Sequence, residues 1–281
     1  MILKRRDGVS FFQFPKFVGL AGIRHGIFTR HAGVSRGSFR SLNVSCGVGD
    51  DRRSVRQNRN IVTRCIGGEE LVFINQVHGT RVLSFAQENQ AGIPVAADAL
   101  PEDSLPKIRE GQNGANESDS GRRLMGDALV TNIPKKFLVM QVADCQSVLM
   151  YDPFRQVIAN VHSGWRGSVN NIIGQTVKVM EKDFGCCSRD IVAGISPSLG
   201  PCCAQFINYQ KEIPAAYWTY KDDRDHFDFW SISCDQLCDA GVLAENLDLS
   251  RMCTKCDTDN FFSFRGEGTT GRFAAVIGIA G

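Results

Sequence analysis

Three residues combine a reactive side chain with a similar setting: His78, Cys145 and His162. His78 follows the apolar run Leu71 to Ile74, Cys145 follows Phe137 to Val142, and His162 directly follows Val157 to Val161. Runs of this length read as buried strands. If those strands lie side by side and point the same way, the three side chains meet at one sheet edge. A rigid sheet fixes positions there while the following loops vary. Two imidazoles and a thiolate form a donor set suited to zinc. Three protein ligands leave the fourth tetrahedral position open, as catalytic zinc requires, and a water there is acidified toward a pKa of about 7. Taken singly, each histidine has a structural alternative and Cys145 has one as inert core.

The loop Ser163-Gly164-Trp165-Arg166-Gly167 follows His162 and runs from strand to helix. Amides at that helix start, together with Arg166, make a receiver for phosphate or another anion, and the glycines keep the approach open. The alternative is a plain strand-to-helix turn in which Trp165 packs and Arg166 pairs with a carboxylate. Cys253-Thr254-Lys255-Cys256 is a CxxC. A zinc knuckle there needs a second pair, and the one nearby, Cys202-Cys203, consists of adjacent residues that chelate a single metal poorly. A thioredoxin-like role is also disfavoured, because no strand-to-helix setting surrounds the motif.

These residues need a large core to position them. The chain has 281 residues, 43% hydrophobic and 22% charged, a globular composition. No Pro/Gly/Ser-rich linker divides it, so a single domain over 1–281 is expected, with a polar insertion at about 88–123. Net charge is +2, from 32 basic and 30 acidic residues. No broad positive field invites nucleic acid. The group Arg52, Arg53, Arg56 and Arg59 reads as a solvated face or the rim of an anion site. No run reaches the length of a membrane span, and no secretory signal is apparent. The eleven cysteines, an odd number with two adjacent pairs, suit reduced thiols in the cytoplasm.

Four short apolar runs, Ala128 to Val130, Phe137 to Val142, Val148 to Tyr151 and Val157 to Val161, are expected to be neighbouring strands buried on both faces. Val169, Ile172, Ile173, Val177, Met180 and Phe184 recur at helical spacing, with Gly185 as the stop. Helices are also expected at Val55 to Cys65 and Cys234 to Ala240, and strands at Ile27 to Thr29, Ile191 to Ile195, Asn260 to Arg265 and Phe273 to Ile279. The class is mixed α/β.

With those elements in place, the motifs resemble one family, the laccase-domain or polyphenol-oxidase-like proteins, also called peptidoglycan-editing-factor-like or multifunctional purine nucleoside enzymes. The resemblance covers nearly the whole chain. It rests on Thr29-Arg30, Gly33-Val34-Ser35, Ser41-Leu42-Asn43, Asn75-Gln76-Val77-His78-Gly79, Asp127 to Thr131, Ala143-Asp144-Cys145, His162 to Gly167, Gly200-Pro201-Cys202-Cys203, Cys253-Thr254, Phe261 to Arg265 and Gly271-Arg272. It implies a layered α/β/β/α sandwich with mixed sheets and a zinc site at His78, Cys145 and His162. It implies phosphorolysis of adenosine, inosine, guanosine and methylthioadenosine, with phosphate as co-substrate, and deamination of adenosine. Arg30 and Arg166 carry over as anion or substrate contacts, with Ser35, Asn43 and Gln76 beside them. Asp127 and Asp144 are candidates for proton transfer or for supporting the ligands. Two departures stand out: Ser147 replaces the family's Pro, and Ala204-Gln205 replaces Tyr-Glu.

Two rival chemistries accompany this reading. Copper-dependent phenol oxidation follows from the family's older name, but five histidines without a His-x-His pair cannot build several copper centres. A Cys–His hydrolase, including one that edits peptidoglycan precursors, would use Cys145 as nucleophile and His78 or His162 as base.

Overall fold

The computed structural model describes residues 1–86 and 124–281; the expected insertion at 88–123 lies outside them. Two six-stranded mixed sheets face each other. The first contains β1 (Ile2–Arg6), β2 (Val9–Gln13), β3 (Ile23–Phe28), β4 (Glu70–Phe73), β7 (Lys136–Val142) and β12 (Phe273–Ile279), in the order β1-β2-β3-β12-β7-β4. The second contains β5 (Val82–Phe85), β6 (Ala128–Thr131), β8 (Gln146–Asp152), β9 (Val157–Ser163), β10 (Val192–Ile195) and β11 (Leu247–Leu249), in the order β11-β10-β8-β9-β6-β5. Phe14, Ile27, Leu129, Leu138, Met140, Leu149, Ile158, Phe273 and Ile277 fill the space between the sheets.

Helices cover both outer faces. The Arg52–Ile66 helix lays Val62, Cys65 and Ile66 on the first sheet. The Ile172–Phe184 helix lays Ile172, Ile173, Val177 and Met180 on the second. This is the α/β/β/α layering that the resemblance implies. It also explains why the central strands read as continuous apolar runs, since each is covered on both sides. Among the described residues, no helix is long and apolar enough to cross a membrane.

Three local expectations need correction. β7 is not a neighbour of β6, β8 and β9, but lies in the opposite sheet between β12 and β4. The chain therefore crosses between sheets both before and after β7. The helix expected from Val169 breaks at Asn170-Asn171; Asn171 sits at φ +54° and caps the following helix by accepting from the Gly174 amide. Asparagine offers the backbone this alternative bond, and here it outweighs the apolar period. Asn260 to Arg265 is not a strand. Ser263 caps a one-turn helix, Phe264–Glu267, while Asp257 draws the Asn260 amide and side chain into a turn. Phe261 and Phe262 are nevertheless fully buried.

A polar residue pins the two sheets together. Asn160 on β9 donates from Nδ2 to the carbonyls of Leu138 on β7 and Ala275 on β12, at 3.0 and 2.9 Å. Its Oδ1 accepts from Ser147 Oγ of β8 at 2.6 Å. The Ser147 amide donates to Ser196 Oγ, a bond that proline at this position would lack.

His25 on β3 is a second buried polar group, 1% exposed and packed against Phe14 and Phe17. Its Nε2 accepts the Phe14 amide at 2.8 Å, so the ring is neutral. Burial pushes its pKa down to about 4. The unfolded chain binds this proton from about pH 6.5 downward, whereas the native state resists it until about pH 4. The stabilisation, about 3 kcal/mol, is therefore complete above pH 6.5 and lost as pH falls toward 4. His25→Gln keeps an acceptor and removes the titration. Thermal midpoints recorded between about pH 7 and pH 4.5 should fall less steeply for this variant than for the natural chain; parallel slopes would refute the assignment.

Candidate metal centre

β4 and β7 run parallel as neighbours, so the loops leaving their ends carry His78 and Cys145 to the same rim. His162 comes from the facing sheet, within β9 rather than after it. The expected single sheet edge is thus the mouth between two sheets, where the chain crosses from one to the other. The donor atoms of His78, Cys145 and His162 all lie within 4.8 Å of one another. The two rings stand at 85° with centroids 4.8 Å apart. His162 is buried, Cys145 half-buried and His78 exposed, so the trio opens toward solvent on one side.

Gly164 makes the trio possible. A Cβ there would sit 3.1 Å from Cys145 Sγ and 3.1 Å from His78 Cδ2. Any side chain would press on two donors together. The donor chemistry and this glycine-lined cradle both fit a tetrahedral ion such as zinc. Charge is arranged to match. Burial disfavours ionising Cys145, but the adjacent His162 outweighs it and lowers the thiol's pKa. Burial likewise opposes charge on His162, while Cys145 and Asp127 raise it.

Asp127 is fully buried and organises the site. Its Oδ1 accepts from His162 Nδ1 at 2.9 Å and from the His78 amide at 2.8 Å, and its Oδ2 accepts from the Gly79 amide at 2.7 Å. Burial alone would raise its pKa; the bonds to His162 and to these amides hold the carboxyl below its usual range. The bond to Nδ1 leaves His162 Nε2 for the centre. His78 itself has φ +58°, a left-handed conformation disfavoured for a non-glycine residue, and the amide bonds to Asp127 hold it there. Asp144 has φ +84°. Its carboxylate accepts from Thr254 Oγ1, Ser263 Oγ and the Arg265 amide. Both carboxylates thus accept several hydrogen bonds from neighbouring segments.

The centre lies on the wall of an open cavity of about 1210 Å³. That exceeds the roughly 300–1,000 Å³ of an ordinary small-molecule pocket. Gln76 and Arg166 line it, as expected. Gln76 exchanges two hydrogen bonds with the Gln141 backbone, propping the end of β7. Arg166 lies over the Trp165 ring at 4.7 Å and is exposed, with no carboxylate at ion-pair distance among the described residues. Its helix, Trp165–Val169, is a single turn, so the anion receiver expected there reduces to the side chain.

Arg30, Ser35 and Asn43 do not reach the cavity, contrary to expectation. The Arg30 guanidinium binds the carbonyls of Arg40 and Thr258, pairs with Glu267 at 2.8 Å and covers Phe262. Ser35 and Asn43 are buried and both bond to Asp50. These motif residues shape a loop. Sequence reasoning missed Arg272, which the structure places on the cavity wall beside Cys145 and Asp144. Its signal was its place in the Gly271-Arg272 motif of the family resemblance; a Cβ at Gly271 would meet Phe262 and Asn43. Arg52, Arg56 and Arg59, one of whose two readings was the rim of an anion site, also line the wall.

A family model described as multi-copper polyphenol oxidoreductase laccase matches residues 24–280. The chain belongs to this family. It is 31% identical over 271 residues to a purine nucleoside phosphorylase of Bacteroides thetaiotaomicron, covering 92% of each chain. It is 29% identical over 277 residues to the purine nucleoside phosphorylase YlmD of Geobacillus stearothermophilus, covering 94% of this chain and 92% of the relative. The crystal structure of YlmD from that organism superposes with a TM-score of 0.78 at 28% identity, covering 100% of this chain and 99% of the other. The described residues therefore share the fold of that structure.

Asp127→Ala tests the organising role. It leaves the His78 and Gly79 amides without their acceptor and frees the buried His162 ring, so stability should drop by on the order of 3 kcal/mol. Affinity for zinc should fall roughly 10–100-fold. Calorimetry with and without zinc measures both, and unchanged zinc affinity would sink the role.

Proposed function

We propose that the protein is a zinc-dependent purine nucleoside phosphorylase acting on adenosine, inosine, guanosine and methylthioadenosine, and that it also deaminates adenosine. One observation carries the reading. Three converging donors, His78, Cys145 and His162, open onto a cavity walled by arginines and aromatic rings. The family membership and the names of the relatives agree with it. Zinc held by these residues would supply Lewis acidity and lower the pKa of a water molecule toward about 7. Eleven unpaired thiols fit a cytoplasmic setting.

In phosphorolysis a phosphate oxygen bonds to the sugar C1′ as the C1′–N9 bond breaks. The bonding pair leaves with the purine, which takes up a proton. Arg166 and Arg272 are assigned to the phosphate, since both line the cavity and guanidinium groups bind phosphate bidentately. A phosphate held against the sugar also offsets the positive charge that grows there. Trp165 and Phe206, in edge contact at 6.1 Å, offer apolar surface to the base.

A metal-free thiol hydrolase is a second reading, favoured by the line Asp127–His162–Cys145, which has the order of orienter, base and nucleophile. His78 bonds the same sulfur and has no task in such a triad. Alkylation of Cys145 separates the two: protection by zinc supports the metal enzyme. For copper oxidation, only two of the five histidines meet at one centre. Stoichiometric copper in protein purified without added metal would revive that reading.

Purified protein with inosine and phosphate should release hypoxanthine, lose that activity to a chelator and regain it with zinc. No metal-dependent release would end the proposal. Arg166→Ala should raise the KM for phosphate roughly tenfold or more, as loss of a charge-assisted contact implies, and leave zinc content unchanged.

A further inference from the structure

A second sulfur-rich cluster lies outside the centre described above. Cys202, Cys203, Cys253 and Cys256 bring all four Sγ atoms within 4.8 Å of one another. The adjacent cysteines were expected to chelate one metal poorly; instead both thiols face the same partner. Cys256 Sγ lies 3.6 Å from Cys202 Sγ and 3.5 Å from Cys203 Sγ. A tetrahedral ion with Zn–S bonds of about 2.3 Å sets its sulfurs about 3.8 Å apart, so these separations match the edge of such a tetrahedron. They do not match disulfides, in which two sulfurs approach to about 2.05 Å, and Cys256, equidistant from two thiols, favours neither.

The backbone supports the same arrangement. The Gly200 amide donates to Cys253 Sγ at 3.3 Å, a bond that stabilises negative charge on sulfur. A parallel bridge joins Ser198 to Cys253, and the Thr254 amide donates to the Ser198 carbonyl at 3.0 Å. The two cysteine-bearing loops are thus already held in register by main-chain bonds. A Cβ at Gly200 would sit 3.1 Å from Cys253 Cβ and 2.8 Å from the Trp230 ring, so glycine is required where the loops approach.

We propose that Cys202, Cys203, Cys253 and Cys256 form a second metal site, a closed four-thiolate site for zinc with a structural role. Four protein ligands leave no open position, which separates it from the three-donor centre. Its position gives it a purpose. The loop carrying Cys202 and Cys203 donates from the Leu199 amide to the Asp144 carbonyl at 2.8 Å, and the loop carrying Cys253 donates from Thr254 Oγ1 to the Asp144 carboxylate at 2.7 Å. An ion binding both loops braces the residue that precedes Cys145.

The test uses the whole chain, reduced, loaded with zinc and freed of excess. Native mass spectrometry should find two zinc ions per natural chain and one in Cys145→Ala. The ion retained by Cys145→Ala, exchanged for cobalt(II), should show the strong sulfur-to-metal absorption of tetrahedral thiolate coordination, and zinc should raise that variant's Tm. In the natural chain, Cys202 and Cys256 are exposed; zinc should protect both from alkylation. A Cys145→Ala chain that folds yet binds no zinc would overturn the site. So would free alkylation of Cys202 and Cys256 in the zinc-loaded natural chain, or disulfides among the four cysteines after reduction.

Discussion

The centre depends on one buried carboxylate. Asp127 belongs to the second sheet's side of the molecule, just before β6, yet it grips the amides of the His78 loop, which leaves the first sheet. Its bond to His162 Nδ1 adds the third strand to the same grip. Without this carboxylate the two sheets would still pack through their apolar faces, but nothing would fix the two imidazoles relative to each other. An ionised group in so dry a place is normally expensive; here amides and a ring N–H satisfy it.

The charges around the trio form a relay of compensations. Asp127 favours positive charge on His162, and His162 in turn favours the thiolate of Cys145. Both shifts favour the charged forms of the pair, and the unfavourable backbone angles at His78 and Asp144 are retained because hydrogen bonds over-determine them. Two left-handed residues and a buried carboxylate thus meet where three chain segments converge, beside the apolar core between the sheets.

Much of this was legible in the residues. The strand at Phe273–Ile279 and the helix stop at Gly185 follow from apolar runs and from a glycine able to take φ +66°. His78, Cys145 and His162 stand out in the sequence because each follows a strand-like apolar run. What the pattern could not convey was which sheet each strand joins: β7 and β8 both carry apolar runs covered on two faces, yet they lie in opposite sheets. Arg30 misled for a related reason. A loop arginine looks the same whether it meets a ligand or, as here, several backbone carbonyls and Glu267. Arg272 and the cysteine quartet depend on contacts between segments far apart in the chain, which no local period encodes.

Asn160 carries a consequence for precision at the centre. It lies two residues before His162 on β9, so both side chains leave the strand on the same side. The amide that grips Leu138 and Ala275 on the opposite layer therefore acts as a dowel set close to the working tip. Any sliding of one layer over the other is arrested about 7 Å from the imidazole, before it can accumulate along the strand. Registration of the two layers beside the centre thus draws on this amide as well as on the Asp127 carboxylate.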